Sequence, residues 1–260
     1  MLSNYQPTSE WSRINRGAAA APVIASPELF TLLEACLAYS AASDGAFDIT
    51  VGPLMKVWGF YKGEGQLPRA ADIAAAMARV GYRHVALDHA TRAVRFDAPG
   101  VEMDPGGIGK GYAVDRMVDV LKARGITIAK VSAGGSSIFG LGAPPDEPRG
   151  WPVPIRAPGS TTDIAANVFL RDTSISTSGS YEKFFWADGR TYAHIMDPGT
   201  GYPSLGTALV SVVAPRTIDS EAWTKPYFIN GRDWASHHRD AAVRIFWCDD
   251  GPAVRCVWID

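Results

Sequence analysis

The sequence predicts an α+β fold, with mixed sheets and packed helices, rather than a regular βαβ array. Short alternating segments that read as hairpins recur along the chain, and helical periodicity occupies only a few stretches between them. The 26 glycines and 18 prolines add many turns, which suits a loop-built site better than a helical bundle. The 260 residues suffice for one large domain or two small ones with a proper core.

Ser26-Pro27-Glu28 starts the first clear helix, with a capping hydroxyl, a proline in the first turn and an acid at the positive dipole end. Leu29, Leu32, Leu33, Cys36 and Leu37 follow at helical spacing, and Ser43-Asp44-Gly45 ends the run. The next stretch, AFDITVGPLMKVWGF, has the β-branched and aromatic content of a strand but is broken by Gly52-Pro53. A second helix is expected from about Arg69 to Val80, stopped by Gly81. Tyr82 to Phe96 reads as a β-hairpin with a polar turn around His89-Ala90-Thr91. A glycine loop then opens a long helix with Val114, Met117, Val118 and Leu121 inward, stopped at Gly125. ITIAKVSAGGSSIFGLG gives two strands bent at Gly134-Gly135, and Pro144 to Pro158 reads as a proline-rich surface connection. ANVFLRD, SISTSG, YEKFFWAD and TYAHIMD alternate as short strands. LVSVVA, a short helix near Ser220, and the strands VRIFWCD and AVRCVWI complete the chain.

A net charge of −2 and the absence of a basic run argue against a nucleic-acid-binding surface. No apolar stretch approaches spanning length, and the opening MLSNYQPTSEWSRINR lacks the apolar region of a signal peptide. Cys36, Cys248 and Cys256 form no CxxC and no metal-ligand spacing with histidine. Their apolar surroundings read as buried inert thiols; a Cys248–Cys256 pair across a hairpin is the less favoured alternative.

Four clusters concentrate residues able to do chemistry. Asp104 to Asp115 reads DPGGIGKGYAVD, with Gly106, Gly107 and Gly109 ahead of Lys110 and a helix. Glycines admit a close ligand, and a helix start offers N–H groups and positive charge to a phosphate; a tight strand-to-helix turn is the plainer reading. The loop matches neither the P-loop nor the dinucleotide fingerprint. Asp44-Gly45-Ala46-Phe47-Asp48 with Thr50 is either a ligand loop or an Asx-type turn. Ser174 to Tyr181 is a hydroxyl-rich loop able to donate to phosphate or sugar, or else a solvated edge strand. Finally His194 ends a strand immediately before the Asp197-Pro198-Gly199-Thr200-Gly201 turn, where a histidine near a carboxylate can accept a proton. No GxSxG elbow is present, which argues against a serine hydrolase.

Together and in this order, these clusters resemble the FAD:protein FMN transferases, the ApbE family. The matching stretches are SEWSRINR, SDGAFDITVGPLMKVWGF, MDPGGIGKGYAVDRMVDVLKARGI, VSAGG, STSGSYEKFF and YAHIMDPGTGYP, and the similarity runs from about Tyr5 to the C-terminus. The resemblance implies a single domain over residues 1–260, with the flavin site in a cleft between subdomains. It implies an enzyme that binds FAD, splits its pyrophosphate with Mg2+, attaches FMN to a threonine or serine of an acceptor flavoprotein, and releases AMP. FAD contacts fall to Tyr5, Ala46, Phe47, Asp48, Asp104, Lys110 and Ile195. Gly107 takes the place of a backbone metal ligand, and His194 that of the base that deprotonates the acceptor hydroxyl. FAD and the acceptor flavoprotein are the partners implied, with no nucleic acid and no transmembrane segment. Relatives often sit in the periplasm as lipoproteins; no lipobox occurs here, so the compartment stays open.

Two departures from the family pattern bear on function. The family's N-terminal strand, with its Ala-Met-Gly-Thr-like segment, is not in this sequence, where Met1 already lies close to SEWSRINR; either the protein lacks that strand or its start is trimmed. The late metal motif, Asp-Ala-x-x-Thr in the family, aligns with Glu221-Ala222-Trp223-Thr224-Lys225. Glu221 extends the carboxylate by roughly a bond length, and a protonated Lys225 cannot ligate a metal. A one-residue slip puts Thr224 in the ligand role; otherwise Lys225 takes the cation's place or points to solvent. Three readings follow: an active transferase with an adapted Mg2+ site, a FAD-binding relative without transfer, and a Mg2+-dependent FAD pyrophosphatase. Retention of His194 and Asp197 favours the first.

Overall fold

The computed structural model describes residues 1–63, 65–251 and 253–259. In chain order its elements are α1 (Glu10–Gly17), β1 (Val23–Ile24), α2 (Pro27–Ala42), α3 (Gly52–Val57), α4 (Ala70–Met77), β2 (Val85–Asp88), β3 (Ala93–Phe96) and α5 (Gly109–Ala123). There follow β4 (Ala129–Ala133), β5 (Ser137–Leu141), β6 (Trp151–Arg156), β7 (Ile164–Leu170), β8 (Thr173–Gly179), β9 (Phe184–Ala187) and β10 (Arg190–Ala193). The last are β11 (Thr207–Ala214), α6 (Thr217–His237), β12 (Arg244–Asp249) and β13 (Cys256–Ile259). The architecture is α+β, as expected. It forms two compact units, Met1–Gly107 with Lys183–Pro203, and Ile108–Glu182 with Ser204–Asp260. Among the described residues no helix is long and apolar enough to cross a membrane.

In the first unit α1 starts at Ser9, whose Oγ accepts the Ser12 N–H at 3.0 Å. Trp11 and Ile14 are fully buried. The Trp11 indole donates to the Met103 carbonyl at 2.9 Å, and Asn15 exchanges two bonds with the Met103 backbone. α2 has the expected Ser26 cap and buries Leu29, Leu32, Leu33 and Cys36. Asp44 and Gly45, both at positive φ, then reverse the chain. The stretch read as strand-like is instead a turn followed by α3, with Gly52-Pro53 at its start; proline suits a first helical turn, where its missing N–H costs nothing. The hairpin read over Tyr82 to Phe96 is β2–β3, paired from Val85↔Phe96 to Asp88↔Ala93, with β1 on the other edge of β3. The β9–β10 ribbon packs one face inward, where Phe185 stacks on Tyr192 at 5.3 Å and both rings lie against Trp58. Phe184 and Trp186 alternate outward.

The second unit is built on an antiparallel six-stranded sheet, ordered β13-β12-β11-β8-β5-β4. α5 and α6 pack on this sheet, with Val114 and Val118 of α5 against Phe139 and Leu141 of β5. Met117, expected inward, is 42% exposed, because Val114, Val118 and Leu121 define a narrower stripe. The β6–β7 ribbon covers the other side of the sheet, joining Val153, Ile155, Val168 and Leu170 to Ile175, Leu209, Val213 and Phe246.

Four further expectations are corrected here. The proline-rich connection contains β6, in which exposed Pro152 and Pro154 alternate with buried Val153 and Ile155. Because among the described residues β6 pairs only with β7, the missing proline N–H groups fall where no ladder bond is required. SISTSG is neither a loop nor a solvated edge: β8 lies between β11 and β5 and is largely buried. The short helix near Ser220 is the 21-residue α6, interrupted by Gly231 at φ 81°, ψ −178°, and not by Pro226. Cys248 and Cys256 are not free thiols: they face each other across β12–β13 and form a disulfide, while Cys36 forms no disulfide and is buried.

Candidate active site

In the first unit Asp104 gathers donors from three parts of the chain. Its Oδ1 accepts the Gly106 N–H at 2.6 Å, and its Oδ2 accepts the Tyr61 hydroxyl at 2.6 Å and the Asn4 amide at 3.0 Å. Burial and the Asp104 charge push the Tyr61 phenol far upward, so it stays a donor. Tyr5, 73% exposed, sets its ring edge-on to Tyr61 at 6.2 Å. The sequence-predicted Tyr5 and Asp104 are thus brought together by Tyr61 and Asn4, which sequence reasoning missed. Gly107 ends the Pro105–Gly107 turn beside this cluster.

Ala46, Phe47 and Asp48 lie buried in the turn after α2. The Ser43 hydroxyl accepts the Phe47 N–H at 3.0 Å. Asp48 Oδ1 accepts both the backbone N–H and the hydroxyl of Thr50 at 2.7 Å, and Oδ2 accepts the Tyr82 N–H at 2.6 Å. The Asx-type turn is therefore realised, and the Asp48 carboxylate faces the loop's own backbone. Burial raises its pKa above the ordinary 3.8 despite these bonds.

His194 follows β10 and is half-buried. Its backbone N–H donates to the Lys183 carbonyl at 3.0 Å, and Nδ1 lies 3.2 Å from the same oxygen. A carbonyl can only accept, so this contact places the proton on Nδ1 and makes Nε2 the basic nitrogen. The Phe60 ring approaches the imidazole at 6.4 Å, and Ile195 beside it is buried. Asp197 does not serve the histidine through its known bonds: Oδ1 accepts the Gly199 N–H and Oδ2 the Thr200 hydroxyl, holding the DPGTG turn.

The second unit brings together the residues read as an altered metal motif. Glu221 is 2% exposed. Its Oε2 accepts the Gly111 N–H at the start of α5, while Oε1 is buried without a hydrogen-bond partner. Of the helix-start N–H groups expected to face a phosphate, that of Gly111 is thus taken by a side chain of the same chain. Gly111 is needed for this approach, since a Cβ there would lie 2.4 Å from the Thr217 carbonyl oxygen. Lys225 Nζ donates to the Glu221 carbonyl at 3.2 Å and to Thr224 Oγ1 at 3.1 Å. Burial pulls its ammonium down to about 8, with Lys110 adding repulsion and Glu221 opposing both. Glu221 itself is pushed up by burial, against the pull of Lys225 and Lys110. Lys110 is exposed and donates to Ser136 Oγ.

A divalent cation does not fit these side chains as they stand. Mg2+ takes near-octahedral oxygen ligation. The Thr224 hydroxyl is saturated: it donates to the Glu221 carbonyl at 2.7 Å and accepts from Ser178 at 2.8 Å and from Lys225. Of these side chains only Glu221 Oε1 is left without a partner, and the positive charge of Lys225 already acts on that carboxylate. Among the described residues no group of three or more His, Cys, Asp or Glu could hold a metal. Ser174, Ser176 and Ser178, alternate residues on one face of β8, meet Ser220 and Thr224 one helical turn apart on α6. That alternation is visible in SISTSG, although its partner helix is not.

The ApbE family model matches residues 1–245. The chain is 33% identical over 231 residues to the FAD:protein FMN transferase of Klebsiella pneumoniae (strain 342), a match covering 88% of this chain and 70% of that protein. It is 34% identical over 245 residues to the FAD:protein FMN transferase of Treponema pallidum (strain Nichols), covering 89% and 67%. The crystal structure of the ApbE protein from Thermotoga maritima matches with a TM-score of 0.87 at 30% identity, over 95% of this chain and 81% of that one. The apo form of Pseudomonas stutzeri flavinyl transferase ApbE gives the same TM-score and identity over 100% and 81%. With its α+β architecture, its glycine loop and its histidine turn all in the matched span, the chain belongs to the ApbE family.

Proposed function

We propose that the protein is an FAD:protein FMN transferase. The observation that carries this reading is the family match over residues 1–245, and the His194 geometry supports it. In this reading a threonine or serine hydroxyl of an acceptor flavoprotein attacks the flavin-side phosphorus of FAD. The new P–O bond joins FMN to the acceptor, the phosphoanhydride bond to the AMP moiety breaks, and AMP leaves. The hydroxyl proton goes to His194 Nε2, the nitrogen left basic by the Nδ1 contact with Lys183. Tyr5, Ala46, Phe47, Asp48, Asp104, Lys110 and Ile195 take the FAD contacts. Asp48 contributes by shaping its loop, because its carboxylate is engaged by Thr50 and Tyr82. Lys110 supplies positive charge for the phosphates.

The test is incubation with FAD and a threonine- or serine-bearing acceptor flavoprotein, followed by chromatography of AMP and detection of flavin fluorescence on the denatured acceptor. The expected result is AMP and covalent flavin in equal amounts, both reduced about 10²–10⁴-fold in His194→Ala, the usual scale for a general base. AMP without covalent flavin would make the protein a pyrophosphatase, and FAD binding without either product would make it a flavin holder.

A further inference from the structure

Among the described residues of the second unit Glu221 is the one acid that is buried, and a buried carboxylate must be compensated by opposite charge. Its surroundings provide that from three directions: the N–H of Gly111 at the start of α5, the ammonium of Lys225 one turn along α6, and Lys110. Two lysines against one carboxylate leave the cluster with an excess positive charge, to which the start of α5 adds. Such a cluster attracts phosphate oxygens and repels a dication. Its saturated Thr224 hydroxyl offers a dication nothing in return.

We propose that Lys225 is the resident cation of this cluster, so that the chain binds FAD without a divalent metal there. This rests on the reading that FAD is the substrate. The Lys225 ammonium is fixed by the Glu221 carbonyl and the Thr224 hydroxyl, and Ser178 on β8 fixes that hydroxyl in turn. The charge is therefore held by the fold rather than recruited from solution. The buried, unpartnered Glu221 Oε1 is what makes the arrangement testable, because exchanging the lysine for a short hydroxyl residue would remove the competing ammonium and open an acceptor position on Thr224 Oγ1 beside it.

The experiment has two arms. Mn2+ is titrated into the full chain without FAD and followed by electron paramagnetic resonance. FAD is titrated calorimetrically in EDTA and in Mg2+. The wild type is expected to bind no stoichiometric Mn2+ and to bind FAD equally in both buffers. Lys225→Met should lose about tenfold or more in FAD affinity, the scale of one charge-assisted contact. Lys225→Arg, which keeps the charge, should stay metal-independent, and Lys225→Thr should acquire Mn2+ binding. One-to-one Mn2+ binding by the wild type, or FAD affinity in Lys225→Met equal to wild type, overturns the proposal. FAD binding that requires Mg2+ overturns this inference alone. Failure of the wild type to bind FAD in either buffer overturns the proposed function as well. Near-UV circular dichroism of each variant separates these outcomes from misfolding, and the wild-type arms need no variant.

Discussion

Asp48 and Asp104 are both carboxylates held by several donors, and they differ in what the donors are for. Those on Asp48 all belong to its own loop and to the Tyr82 backbone, whereas Asp104 is held by two side chains, Tyr61 and Asn4. Tyr61→Phe removes a donor from a carboxylate and is expected to cost about 1.5–3 kcal/mol in FAD binding or in stability; calorimetric titration together with urea unfolding shows which. Asp48 predicts a pH dependence. Its folded pKa lies above 3.8, so the folded state holds the proton more tightly than the unfolded chain. Its contribution to stability is full below 3.8 and is lost as pH rises through the folded value. The stability difference between wild type and Asp48→Asn should therefore move in the variant's favour from pH 4 upward, read by urea unfolding across that range; drift the other way would refute it. Asp104 was legible in the sequence as an acid before a glycine loop. Tyr61 and Asn4 were not, because they lie 43 and 100 residues from it and carry no local signal of their meeting.

At the scale of elements, two glycines make opposite demands on the same intuition. Alanine normally favours a helix over glycine. Gly231, inside α6, adopts φ 81° and ψ −178° with open space around its missing Cβ. Gly231→Ala should therefore destabilise by about 1–3 kcal/mol through backbone strain alone, measured as a fall in urea midpoint. Gly111→Ala meets the Thr217 carbonyl and the Glu221 side chain instead; it should separate α5 from α6 and cost about 1–3 kcal/mol by overpacking. Reducing Cys248–Cys256 reopens a link between residues eight apart, and loop entropy puts the loss at about 2–3 kcal/mol, seen as a lower Tm in a phosphine reductant. Elements with local signals were legible: the Ser26 cap of α2, the β2–β3 hairpin and the start of α5. α3 and β6 were not, because Gly52-Pro53 and Pro152 with Pro154 each read as a breaker in isolation, and the full length of α6 was not either. Each proline is tolerated for a reason supplied by its position, a first turn for Pro53 and an unpaired edge for Pro152 and Pro154. Pro226 sits inside α6 with no such reason visible.

For the whole molecule, the decisive feature is that each compact unit is assembled from two separated stretches of chain. No alternation or periodicity announces this, since it depends on which apolar faces meet. The β9–β10 ribbon, reached only after most of the second unit's strands, closes the core of the first: Phe185 and Tyr192 stack on each other and lie against Trp58. The Trp58 indole also donates to the Gly201 carbonyl at 2.9 Å. Removing one large aromatic from a core costs about 3–5 kcal/mol, and domains hold only about 5–15 kcal/mol in total. A fragment ending at Gly107 loses both rings and the Gly201 acceptor at once, so it should not reach a native fold. Joining residues 1–107 to 183–203 through a flexible linker restores those partners, and the cost of closing the added loop grows only slowly with its length. The expected outcome is a flat near-UV dichroism spectrum for the short fragment and a structured Trp58 signal with a cooperative urea transition for the spliced one. A short fragment that already shows that signal would mean the ribbon decorates the first unit instead of completing it.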